Sequence, residues 1–142
     1  MSREIKFKGK RLDNGEWVYG YLRFIYIDTD KASIYDPISV SNYDVLLETV
    51  GQYTGVKDKN GKEIYEGDIL IVVTYSYKEP LIDTTCVVEY DNKYCLYNFT
   101  EIGDGEIYSY SMIEIGDSFK YELEVIGNIY ENPELLVGDN QC

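Results

Sequence analysis

Few residues in this chain could do chemistry. Glu63, Glu66 and Asp68 stand close together, and paired carboxylates can share acid–base work or hold a divalent cation. Their spacing is not that of a calcium loop, which needs oxygens at alternating positions and a closing Glu. Asp68 follows Gly67 and reads instead as a turn residue that bonds neighbouring backbone amides. Cys86 and Cys95 flank a hairpin predicted at Asp91-Asn92 and could lie on facing strands. Two Cys and no His make a poor zinc site, so packed thiols are the simpler reading and a redox pair the alternative. The lack of His removes the commonest general base, the commonest transition-metal ligand and the usual Ser or Cys triads. The polar stretch Gln52-Tyr53-Thr54-Gly55…Asp58-Lys59-Asn60-Gly61 lacks the Gly-Lys-Ser/Thr ending of a phosphate loop and the spacing of a dinucleotide site. It reads as a connector or a partner-binding loop. No catalytic residue, metal site or cofactor is expected, and the remaining enzymatic option is a carboxylate-based hydrolase or metal-dependent chemistry.

The sequence is richer in surface chemistry. It holds sixteen Tyr against four Phe and one Trp. A Tyr ring packs while its hydroxyl stays wet, which suits half-buried strands and interfaces. Tyr19, Tyr21, Tyr26, Tyr53, Tyr65, Tyr75, Tyr77, Tyr90, Tyr94 and Tyr97 recur on predicted strands. Such rings serve as core, as subunit interface, as a groove for Pro-rich peptides or as a platform for single-stranded bases. Trp17, Tyr19, Tyr53, Tyr65 and Asp68 are the candidate partner-binding residues.

Charge narrows the partners. The net charge is −13, which repels phosphate backbones and anionic membranes. Residues 1–27 run against this trend: Arg3, Lys6, Lys8, Lys10, Arg11 and Arg23 face only Glu4, Asp13 and Glu16. The simpler reading of that basic start is a solvated or intramolecularly paired strand; the alternatives are contact with nucleic acid or with an acidic patch on a neighbouring subunit. Asp104, Glu106, Glu114, Asp117, Glu122 and Glu124 read as a solvated acidic face. Three Cys, no apolar leader and no long apolar run point to a reducing cytoplasm and no membrane span.

The elements that must position these residues are short strands. Ile5 and Phe7 alternate with Lys6, Lys8 and Lys10, and Asn14-Gly15 predicts a type I′ hairpin turn. The return strand runs from Glu16 to Ile27, with Gly20 marking a bulge or a close approach. A short strand follows at 32–36. Residues 41–50 read as a capped helical turn that becomes a strand, and 51–61 as loop. Asn60-Gly61 and Glu66-Gly67-Asp68 are turns, and the latter leads into the most hydrophobic strand, Ile69 to Tyr77. Strands at 81–90 and 94–99, an ambiguous segment at 107–112 and a strand bent at Gly127 complete the series. Asn132-Pro133 opens a short helical turn. The fold class is therefore mainly β: small antiparallel sheets with few short helices, in a strand order that suits an SH3-like barrel in the C-terminal part, although composition and period alone do not separate a barrel from a sandwich. The predicted organisation is an N-terminal hairpin and sheet region over 1–59, the barrel over 60–137 and a frayed tail over 138–142.

Three pieces of the chain carry a resemblance. They are Arg3-Glu4-Ile5-Lys6-Phe7-Lys8-Gly9-Lys10 with Gly15-Glu16-Trp17-Val18-Tyr19-Gly20; Gly51-Gln52-Tyr53-Thr54-Gly55 with Asp58-Lys59-Asn60-Gly61-Lys62-Glu63-Ile64-Tyr65-Glu66-Gly67-Asp68; and Ile126-Gly127-Asn128-Ile129-Tyr130-Glu131-Asn132-Pro133-Glu134-Leu135-Leu136. In this order they resemble the YopX family of uncharacterised bacteriophage and prophage proteins, with Val56 where the pattern has Leu. The resemblance implies a phage-encoded cytoplasmic protein, an SH3-like C-terminal barrel and self-association. It brings no catalytic residue. Residues and resemblance together predict a non-enzymatic accessory protein that forms homo-oligomers and binds a basic host or phage protein. A nucleic-acid-binding module using the basic hairpin and Trp17 is the alternative.

Overall fold

The structure is a computed structural model that describes residues 4–76, 79–93, 95–101, 109–111 and 120–137. It is mainly β and antiparallel, as the turn-punctuated sequence predicts. Two compact units divide the chain, Met1–Gly55 and Val56–Cys142.

In the first unit β1 (Phe7–Lys10), β2 (Trp17–Ile25), β3 (Lys31–Asp36) and β4 (Ser41–Leu46) follow one another as antiparallel neighbours. β5 (Gly51–Lys57) pairs with the other side of β1, through Phe7↔Gln52 and Lys8↔Gly51. The sheet curls until β1 meets β4 as well. Arg11 bridges Val45, Leu12 N–H donates to the Asp44 carbonyl at 3.0 Å, and Lys10 N–H donates to Thr49 Oγ1 at 2.9 Å. The ring β1-β2-β3-β4 thus closes on a small aliphatic core of Val18, Ala32, Ile34 and Val45.

Local chemistry explains the curl. A Cβ on Gly20 would stand 1.9 Å from the Tyr35 carbonyl oxygen, so β2 and β3 approach this closely only because position 20 has no side chain. This is the close approach expected of Gly20. The bulge lies further on, where the β2–β3 register slips between Leu22 and Phe24. The β1–β2 turn also differs from expectation. Only Gly15 has a positive φ, of 72°, whereas a type I′ turn needs two such residues. Arg11 and Glu16 close a four-residue loop instead, and Asn14 Oδ1 accepts the Glu16 amide at 2.9 Å.

Two further expectations are corrected here. Residues 41–46 form the strand first, and the 3-10 turn Leu47–Thr49 follows it. Residues 51–57 are strand rather than loop, with Gly51 and Tyr53 buried in alternation. Glycines and polar residues hide that period in the sequence, while pairing with β1 satisfies the backbone.

The second unit begins within β5. β6 (Glu63–Tyr65) lies beside β5, and β7 (Asp68–Ser76) starts after the Glu66-Gly67 turn. β8 (Glu79–Asp91), β9 (Leu96–Glu101), β10 (Ser109–Ser111) and β11 (Lys120–Asn128) complete a sheet of order β10-β9-β8-β7-β11. β7 to β10 follow one another as antiparallel neighbours, and β11 returns beside β7. The expected barrel is not closed among the described residues, where β10 and β11 are the sheet's edges. Ile64, Leu70, Val72, Cys86, Val88, Phe99 and Leu123 form the core. Each large aliphatic or Phe side chain buried there contributes roughly 1.5–3 kcal/mol. The packed Cys86 thiol belongs to this core, whereas Cys95 is exposed. A bulge between Val125 and Gly127 bends β11 as the glycine suggests.

Pro133–Val137 forms the last 3-10 turn, with the Asn132 carbonyl accepting the Leu135 amide at 3.1 Å. The Asn132 side chain points back and accepts the Asn128 amide at 3.2 Å. No helix among the described residues is long and apolar enough to cross a membrane. Tyr77, Tyr94, Asp104, Glu106, Glu114, Asp117 and the tail 138–142 lie outside the described residues.

Candidate functional site

β2 carries the site. Its residues alternate, so Val18, Gly20 and Leu22 turn inward while Trp17, Tyr19 and Tyr21 turn outward. Strict alternation would then send Arg23 and Ile25 outward and Phe24 inward. The bulge at Arg23 re-phases the strand: Phe24 pairs with Ser33, and Ile25 pairs with Ala32 of the core. Phe24 and Tyr26 therefore join the outer face, their rings edge to face at 4.7 Å. Trp17, Tyr19, Tyr21, Phe24 and Tyr26 make one row of aromatic rings. Tyr19 is 44% exposed, Tyr21 56% and Phe24 41%.

Cations flank the row. Lys8 Nζ lies 4.7 Å from the centre of the Trp17 ring, and Arg23 Cζ lies 5.1 Å from that of Phe24. Lys8 itself is buried. Asp44, opposite Ser33 on β4, accepts the Tyr26 hydroxyl at 3.0 Å. That bond, with burial and the nearby negative charge, raises the Tyr26 pKa, so the phenol stays protonated and holds its donor role. Much of the basic charge in the hairpin is engaged internally. Arg11 forms a paired contact with Asp13, at 2.9 and 2.6 Å, and stands over the Tyr43 ring. Lys6 pairs with Glu4.

The five candidate partner-binding residues part company here. Trp17 is half-buried and Tyr19 exposed, both in the row. Tyr53, Tyr65 and Asp68 are buried, which corrects their placement on a contact surface. Tyr53 N–H donates to the Lys6 carbonyl, holding β5 to the chain just before β1. Asp68 Oδ2 accepts the Tyr65 amide at 2.9 Å and shapes the turn around Gly67, whose φ is 84°. Gly67 N–H donates to the Val88 carbonyl and its carbonyl accepts the Ile129 amide. Glu63 accepts the Tyr65 hydroxyl at 3.2 Å. No group of three or more His, Cys, Asp or Glu side chains among the described residues is placed to hold a metal ion.

The stretch 58–68 is a clasp. Asp58 is buried, and its Oδ1 accepts the amides of Asn60 at 2.9 Å and Lys62 at 2.8 Å. Its Oδ2 accepts the Val125 amide at 3.0 Å. Burial pushes its pKa upward, but the Val125, Lys62 and Asn60 amides outweigh that and lower it overall. Lys59 N–H donates to the Leu123 carbonyl, and Lys59 Nζ sits 3.4 Å from Glu122 and 3.3 Å from Glu124. Together these groups cover the outer edge of β11. In the sequence Asp58 reads only as part of a loop. The signal that could have found it is an Asp two residues before Asn-Gly, positioned to accept turn amides.

A family model described as YopX protein matches residues 6–137. This chain belongs to the YopX family. In this YopX chain the matched span includes both the aromatic row and the Asp58 clasp. The crystal structure of protein EF1440 from Enterococcus faecalis is similar at 23% identity, covering 94% of this chain and 99% of that one, with a TM-score of 0.44. No curated protein matches the sequence.

Proposed function

We propose that this YopX chain is a phage-encoded accessory protein that acts without catalysis in the host cytoplasm, by associating with itself and with a protein partner. The observation that carries the reading is the exposed aromatic row of β2. Exposed Tyr and Trp on a rigid sheet present a large apolar area with hydroxyls for orientation, the chemistry of interface anchors. Strand edges are poorer candidates. Arg11 and Leu12 occupy the β4 edge, Asp58 and Lys59 occupy that of β11, and β10 is only three residues long. Residues 56–142 carry eighteen acidic and six basic side chains, which favours a basic second partner.

The test is light scattering behind a sizing column, on the natural chain and on a Tyr19→Ser/Tyr21→Ser variant with an unchanged melting curve. The expected result is a mass above 16.5 kDa that falls to the monomer value in the variant. A natural chain that elutes as a monomer at every concentration overturns self-association. An assembly untouched by the variant overturns the role of the row.

A further inference from the structure

We infer that the outer face of β1 to β4 is a platform for single-stranded nucleic acid, with bases stacked on Tyr19 and Tyr21 and phosphates beside the cations around them. This goes beyond the self-association proposed above and does not need it; a strand and a second copy would compete for the same rings. Rings and cations alternate on that face. Residues opposite one another in an antiparallel pair share a face, so Trp17 stands beside Lys10 and Tyr19 beside Lys8. Arg23 lies over Phe24. Tyr26 N–H donates to the Lys31 carbonyl at 3.1 Å, two residues on from the Phe24↔Ser33 pair, which puts Lys31 on the same face. Tyr21 lies opposite another ring, Tyr35. Asp44, opposite Ser33, is the one carboxylate at the paired positions of this face among the described residues, and it already accepts the Tyr26 hydroxyl.

That balance reverses the charge of the chain as a whole, which is −13. The excess acid sits in residues 56–142, with eighteen acidic and six basic side chains, whereas residues 1–55 hold eight and seven. A basic face on an acidic protein suits an anion. The rings decide which anion. An acidic peptide needs the cations alone, whereas single strands are held by a positive surface together with aromatic rings on which bases of any sequence stack. Lys8 and Arg23 already lie over Trp17 and Phe24, so stacking falls to Tyr19 and Tyr21, the two most exposed rings of the row. Alternate residues of a strand stand roughly 6.6 Å apart, which lets an extended single strand set successive bases on these two rings. A duplex keeps its base faces stacked on one another and offers none. The charge of the whole chain opposes phosphate, so the bases and not the backbone carry the selectivity.

The experiment titrates the full chain into a labelled oligothymidylate of roughly 12 nucleotides, within the site size of such platforms. It reads anisotropy together with the fluorescence of Trp17, the one Trp of the chain. Saturable binding is expected at low salt. An abasic strand of the same length, a duplex and a poly-glutamate peptide are each expected to bind about tenfold more weakly or worse, since one lost base–ring stack is worth roughly a factor of ten. Tyr19→Ser/Tyr21→Ser, with an unchanged melting curve, is expected to lose about tenfold or more in affinity, and Lys31→Gln severalfold. No binding at high micromolar protein overturns the platform. Equal binding of the abasic strand overturns the stacking, and equal binding of the peptide assigns the face to an acidic protein segment instead. A double variant that binds as the natural chain does overturns the role of the two rings. Sizing of the same samples separates this from self-association. A monomer that binds the strand overturns the earlier reading alone, and an oligomer that does not bind it overturns this one alone.

Discussion

The two units of this chain solve the same problem, an antiparallel sheet with edges to protect, in opposite ways. The first closes its ring with backbone, Arg11 to Val45, around small aliphatic side chains, and leaves the β2 aromatics on its outer face. The second buries larger residues, Phe99 and Ile64 among them, and covers the β11 edge with the carboxylate and backbone of a turn. Closure by strand pairing draws on backbone groups and leaves the β2 rings on the outer face. Closure by a clasp commits the residues of that turn to stability.

The comparison breaks most visibly at the second core. Phe99→Ala should cost about 3–5 kcal/mol in chemical denaturation, because Phe99 is fully buried and its loss leaves a large cavity. Hydrogen exchange should show the loss in β7 to β9 rather than in β1 to β4. Asp58→Ala should follow, with a loss on the order of 3 kcal/mol, since three backbone amides lose their acceptor.

The Asp58 carboxylate also gives the molecule a pH signature. Its folded pKa lies below the ordinary Asp value. Its contribution is therefore complete above the unfolded carboxyl range and is lost as pH falls through the folded value. Acid titration of stability should show a shallower decline in Asp58→Ala than in the natural chain. An unchanged slope would remove Asp58 from the acid response.

Smaller effects sharpen the other side. Thr49→Val keeps the shape but removes the acceptor for Lys10 N–H and the donor to the Leu46 carbonyl. It should cost about 1.5 kcal/mol and quicken exchange at Lys10 and Leu12, the closing seam of the ring. Tyr21→Ser should change stability by less than about 0.5 kcal/mol, as an exposed substitution. Its effect should appear in contact alone. A large loss of stability there would mean that the row holds the sheet together rather than serving contact.

Much of the fold is legible in the sequence because turns and alternation are local. Glu66-Gly67-Asp68 announces the start of β7, and Asp68 does bond a nearby amide. Gly20 announces a close approach, and the Tyr35 carbonyl is what it approaches. The misses are places where a non-local partner decides. β5 looks like loop until β1 supplies its hydrogen bonds. Asn14-Gly15 suggests a two-residue turn, but the Arg11–Glu16 pairing sets a longer one. Of the candidate site, Trp17 and Tyr19 are readable as strand aromatics. Tyr53 and Tyr65 read as surface because residue type alone cannot tell a wet hydroxyl from a buried ring, while Asp68 reads as the turn residue it is and only its burial is missed. Phe24 and Tyr26 do not stand out beside Trp17 and Tyr19 because their alignment depends on a register slip.

That slip sets how the N-terminal sheet tolerates changes in length. Arg23 is the residue that the β2–β3 register skips, between Leu22 and Phe24. Deleting it would leave Leu22 followed by Phe24, still facing Ile34 and Ser33, so the outer row would keep its order on a straighter strand. One residue inserted between Ser33 and Ile34 would do the reverse. It would give Arg23 a partner and restore strict alternation, turning Phe24 and Ser33 toward the core while Ala32 swings out. The sheet behaves like a reading frame here: it absorbs a loss from one strand and is scrambled by a gain in the next.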